Sequence, residues 1–99
     1  MNYKIRPGIT LEDICGAKLL IPTRAASKDC PKVIRLGRAG VLVWNIAEGR
    51  LPRELVEIML MKAQKKSRDE ISAGIDKMQR DLCEMGFLIK SEDPGHDER

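Results

Sequence analysis

The chain has 99 residues, of which 42% are apolar and 33% charged, with a formal net charge of +3. A chain this short makes one domain and buries about three-fifths of the surface its unfolded form exposes, which leaves little room for a deep enzyme cleft. Only Tyr3, Trp44 and Phe87 are aromatic, too few to stack the successive bases of a single-stranded nucleic acid.

From the amino end, Tyr3, Lys4, Ile5 and Arg6 alternate before the turn signal Pro7-Gly8. Residues 9–14 resume a mixed pattern that either pairs with this first strand or begins a second. Residues 17–21, bounded by Gly16 and Pro22, predict a strand because they are short and apolar. Residues 22–32 predict a loop. Lys32, Val33, Ile34, Arg35 and Leu36 predict a further strand, β-branched at its centre and basic at its flanks, ending before Gly37.

At Arg38 the period becomes helical. Ala39, Leu42, Val43, Ile46 and Ala47 share a stripe with Trp44 at its edge, and Gly49 stands where a left-handed C-cap is expected. Pro52 opens a second helix running to about Lys65, with Leu55, Ile58, Met59 and Lys62 on one face and Val56 and Leu60 widening it. Ser67 and Glu70 form a capping box ahead of a third helix that Gly86 stops, and Ile71, Ile75, Met78, Leu82 and Met85 recur along one face of it. Phe87, Leu88 and Ile89 predict a short closing strand or wing. Residues 91–99 lack apolar anchors and predict an acidic, disordered tail. The whole predicts an α+β, winged helix-turn-helix-like domain over residues 1–90: a three-stranded antiparallel sheet followed by a three-helix bundle.

Chemistry-bearing constellations are scarce. His96 is the sole histidine and falls in the predicted tail, where nothing holds it to a nucleophile or metal. No phosphate-binding glycine loop occurs. Glu12 and Asp13 are adjacent and face opposite sides of a strand. Cys15, Cys30 and Cys83 form no C-x-x-C pair and are odd in number, which predicts reduced thiols with neither a disulfide framework nor zinc. No catalytic residue, cofactor or metal is therefore expected. No apolar stretch reaches membrane-spanning length and no targeting segment is evident, so a cytoplasmic protein without a membrane partner is expected.

Charge separates along the chain. Residues 1–50 carry nine Lys or Arg against four Asp or Glu, and residues 51–99 carry nine against eleven. Winged DNA-binding domains share the strand-then-helix order, which makes a transcriptional regulator the competing prediction. The third helix, which would enter the groove, has Arg68, Lys77 and Arg80 against Asp69, Glu70, Asp76, Asp81 and Glu84. Carboxylates there repel phosphates, so no nucleic-acid partner is expected.

The run from Leu36 to Gly49, Leu-Gly-Arg-Ala-Gly-Val-Leu-Val-Trp-Asn-Ile-Ala-Glu-Gly, resembles the signature of the PqqD-like family. These are RiPP recognition elements, the peptide chaperones of pyrroloquinoline quinone biosynthesis and related pathways. The likeness extends in looser form from Ile5-Arg6-Pro7-Gly8 to Met85-Gly86-Phe87-Leu88. Gly37-Arg38-Ala39 replaces the polar trio usual in the family, and the loop at 22–32 is longer than usual.

The resemblance implies a domain that grips the leader of a ribosomally made precursor peptide and delivers it to a modifying enzyme, commonly a radical S-adenosylmethionine (radical SAM) protein. It places the leader between the third strand and third helix. On that basis the free edge of Val33, Ile34, Arg35 and Leu36 would accept the peptide as an added strand. Ile71, Ile75 and Met78 would floor the adjoining pocket, and Lys32, Arg35 and Arg38 would give it a basic rim. Trp44 is expected in the core. A free edge also permits a strand-mediated homodimer.

Overall fold

The computed structural model describes residues 2–23 and 26–91. In chain order these form β1 (Asn2–Ile5), β2 (Ile9–Ile14), β3 (Ala17–Pro22), β4 (Ile34–Leu36), α1 (Arg38–Ala47), α2 (Arg53–Gln64), α3 (Arg68–Glu84) and β5 (Leu88–Ser91). The fold is α+β: an antiparallel sheet in the order β2-β3-β4, followed by three helices.

The first strand has a partner that local pattern did not show. β1 pairs antiparallel with β5, Tyr3 opposite Lys90 and Ile5 opposite Leu88, as a separate two-stranded sheet. Residues 9–14 thus begin a second strand, which folds back onto β3 with Leu11 opposite Leu20. Residue 91, given to the tail by composition, closes β5; residues 92–99 of the expected tail lie outside the described residues.

Helix boundaries follow local chemistry. The Ser67 hydroxyl accepts from the Glu70 amide at 3.2 Å while the Glu70 carboxylate accepts from the Ser67 amide at 3.1 Å, satisfying two of the amide donors that a helix start leaves open. After α1, Gly49 takes a left-handed φ of 76°. Gly86 ends α3 with φ 96°, and a Cβ there would stand 2.5 Å from the Asp29 carbonyl oxygen, so only glycine lets the loop lie against the helix end. Arg6 pins the same junction, its Nε donating to the Gly86 carbonyl at 2.6 Å and its guanidinium pairing with Asp29 at 3.3 Å. These contacts place the segment that leads into β4.

Two apolar cores flank α1. Trp44 joins Leu20, Leu36, Leu82, Phe87 and Leu88 between the sheets and α3. Its neighbour Val43 faces the other way, into a cluster of Val56, Leu60, Ile71 and Ile75 among the helices. The expected core position of Trp44 holds.

α2 departs from its expected face. Val56, Glu57 and Leu60 point inward, whereas Leu55, Ile58 and Met59 are exposed. The cause is a charge cluster between α2 and α3: buried Glu57 pairs with Arg53 at 3.1 Å and with Arg68 at 3.1 Å. Arg53 also reaches Asp76 at 2.9 Å and the Ser72 hydroxyl at 2.8 Å. Burial pulls the Arg53 guanidinium toward losing its proton, but its bonds to Glu57 and Asp76 outweigh this and hold it more firmly charged than an ordinary arginine. No helix among the described residues is long and apolar enough to cross a membrane.

Candidate functional site

β4 is an edge strand. It pairs with β3 on one side only, Ile34 opposite Leu20, Arg35 opposite Leu19 and Leu36 opposite Lys18, and no described strand pairs with its other side. Its outward N–H and C=O groups are therefore available to a further strand. Its residues alternate as a half-covered strand requires: Ile34 and Leu36 turn toward the core, and Arg35 is exposed.

The carboxyl-terminal half of α3 lies beside this edge. Met78, Asp81, Leu82 and Met85 face β4 and the start of α1 across a hollow of about 460 Å³. Leu82 is 2% exposed and belongs to the wall, whereas Met85 is 41% exposed and stands open to the hollow. Asp81 pairs with Lys77 at 3.0 Å. Arg35 and Arg38 line the hollow and make no ion pair with any described residue. Among the described residues the result is an open peptide edge, an aliphatic and thioether wall, and unpaired guanidinium groups at the rim.

Of the residues singled out from sequence, Ile34, Arg35, Leu36, Arg38 and Met78 come together here. Ile71 and Ile75 do not. They are 4% and 1% exposed in the helical core, packed with Val43, Val56 and Leu60. At about 1.5 Å of rise per residue, Ile71 stands about 10 Å along α3 from Met78, toward α2 rather than β4. Lys32 and Val33 are exposed and precede the ladder, because β4 begins at Ile34. Asp81, Leu82 and Met85 were not assigned to the site from sequence, although the apolar stripe of α3 runs through the last two.

Buried Cys30 belongs to the first core, and burial raises its thiol above the ordinary range, which disfavours the nucleophilic thiolate. All three cysteines are unpaired.

No family model matches the sequence, and no curated protein matches it either. Solved structures do match. A structure described as lasso peptide synthetase B1 complexed with the leader peptide superposes with a TM-score of 0.70 at 18% identity, covering 91% of this chain and 100% of that one. TbiB1 in complex with the TbiA(beta) leader peptide gives a TM-score of 0.68 at 16% identity, over 91% of this chain and 99% of that one. The chain shares their fold. At this identity the likeness extends to the fold alone.

Proposed function

We propose that this chain binds the leader segment of a ribosomally made precursor peptide and presents it to a modifying enzyme, without catalysis, cofactor or metal of its own. The guest adds a strand to β4 and sets alternate side chains into the groove against α3. The single observation that carries this is the edge of β4 with which no described strand pairs, lying beside the exposed apolar side chain of Met85. Two proteins of the same fold are described as leader-peptide complexes, which supports the same role here. The PqqD-like resemblance between Leu36 and Gly49 favours a radical SAM protein as the modifying enzyme, and with it a cytoplasmic place of work.

The energetics suit a carrier that must let go. Three paired residues offer about two to four main-chain hydrogen bonds, each worth about 1 kcal/mol net. Ordering a flexible leader costs about 2–5 kcal/mol, which offsets that gain, so affinity rests on side chains in the groove, and a dissociation constant on the order of micromolar is the expected outcome. Duplex DNA is the poorer guest, since Asp69, Asp76, Asp81 and Glu84 lie on the helix that would meet its phosphates.

The test is amide-resolved titration with a peptide selected on the intact chain from a random display library. Binding in this mode shifts the amides of Ile34, Arg35, Leu36 and the carboxyl-terminal half of α3. Shifts confined to other elements, or a library that yields no binder, refute the proposal. Sedimentation of the free chain addresses the homodimer: self-association that competes with peptide would assign the edge to a second copy.

A further inference from the structure

The groove has a neighbour on the far side of Gly37. A hollow of about 610 Å³ opens between the β2–β3 turn and α1, lined by Ala17, Leu36, Val41 and Leu42 and rimmed by Lys18, Arg35 and Arg38. Four of its residues, Arg35, Leu36, Gly37 and Arg38, also line the groove beside α3, so the two concavities meet along this stretch. At their junction Gly37 is exposed, and a Cβ built there meets no atom within 4 Å. The absent side chain leaves a low saddle over which an extended backbone can pass.

We propose that this hollow is a second subsite for the same guest. It takes an aliphatic side chain flanked by carboxylates from the segment just amino-terminal to the part paired with β4. The inference rests on the leader-binding role proposed above. Antiparallel addition, the commoner pairing, runs the guest from the Leu36 end of β4 toward Ile34, so its amino-terminal flank reaches Gly37 and the hollow.

Charge selects the flank. Lys18 is engaged by Asp13 at 2.8 Å, but Arg35 and Arg38 pair with no described residue, and Arg is suited to planar, bidentate capture of a carboxylate. The aliphatic floor supplies a place for one side chain, and the two guanidinium groups supply a preference for acidic neighbours.

The experiment uses the library-selected peptide and the same peptide with its amino-terminal flank removed, titrated into the intact chain. The expected selection is enriched in an aliphatic residue between Asp or Glu on the amino-terminal side. The long peptide should shift the amides of Ala17, Lys18, Val41 and Leu42 in addition to those of β4, and bind at least tenfold more tightly than the short one. Filling the hollow with Ala17→Trp should bring that ratio to about one.

Shifts at β4 and α3 with none at the hollow, or a ratio that Ala17→Trp leaves intact, overturn the subsite and leave leader binding standing. Loss of the β4 shifts overturns both. Hollow shifts that grow with protein concentration in the absence of peptide assign the hollow to a second copy and overturn the inference.

Discussion

Truncating Met85 to alanine should weaken guest binding about three- to eightfold while leaving the fold intact. Complete burial of a methionine side chain is worth about 1.5–3 kcal/mol. Met85 is 41% exposed, so about two-fifths of that gain, about 0.6–1.2 kcal/mol, is still to be made when a guest covers it. Its neighbour on the same wall behaves differently: Leu82, at 2% exposure, has already made its gain in folding. Leu82→Ala should therefore cost about 2–5 kcal/mol of stability, with a loss of binding that follows unfolding. Calorimetric titration of the selected peptide, paired with thermal unfolding of each variant, separates the two. Affinity within twofold of the parent for Met85→Ala, at unchanged Tm, would refute the placement of the guest against α3.

Three further outcomes concern the framework that holds the site. Trp44→Ala should cost about 3–5 kcal/mol, measured by urea unfolding. Trp44→Phe should cost less than about 2 kcal/mol, because the indole N–H is buried with no hydrogen-bond partner among the described residues and phenylalanine removes that donor. Glu57→Ala should destabilise by about 1–3 kcal/mol, below the usual cost of breaking a fully buried pair because Arg53 and Arg68 keep partial contact with water.

The last is a pH dependence. Bonds from the Ser67 amide and hydroxyl hold the Glu70 carboxyl below the ordinary glutamate range. A carboxylate with a lowered folded pKa contributes stability that is complete above its unfolded value and disappears as pH falls through the folded one. Acid titration followed by circular dichroism should show this loss in the parent, and Glu70→Gln, which keeps an acceptor but cannot titrate, should remove the share of it due to Glu70 while leaving that of Asp13, whose carboxyl Lys18 also holds low.

What was legible from sequence was local, and what was missed was carried by distant partners. The capping box of Ser67 and Glu70 and the stops at Gly49 and Gly86 lie within a few residues of what they govern, and all were readable. The pairing of β1 with β5 joins residues 2–5 to residues 88–91, and no alternation within residues 3–6 can specify it. The face of α2 was misplaced because Glu57 looks like a solvent residue until Arg68, from the next helix, is brought to it.

The site divides in the same way. The α3 stripe was evident along its whole length, yet nothing in the spacing of Ile71, Ile75, Met78, Leu82 and Met85 says which half meets a strand. Val43 of α1 with Val56 and Leu60 of α2 covers the amino-terminal half, whereas the carboxyl-terminal half faces β4 and the start of α1.

Asn2 stands directly opposite Ser91 in the β1–β5 ladder. Joined at those two residues by a short hairpin linker, residues 2–91 could be stitched into a ring and reopened elsewhere, as in circular permutants. Cyclisation in this way removes disorder from the unfolded chain, on the order of 4 kcal/mol for a loop of this length in the chain-entropy model. Because that ladder is a sheet apart from β2-β3-β4, the ring would close without using the edge that receives a guest.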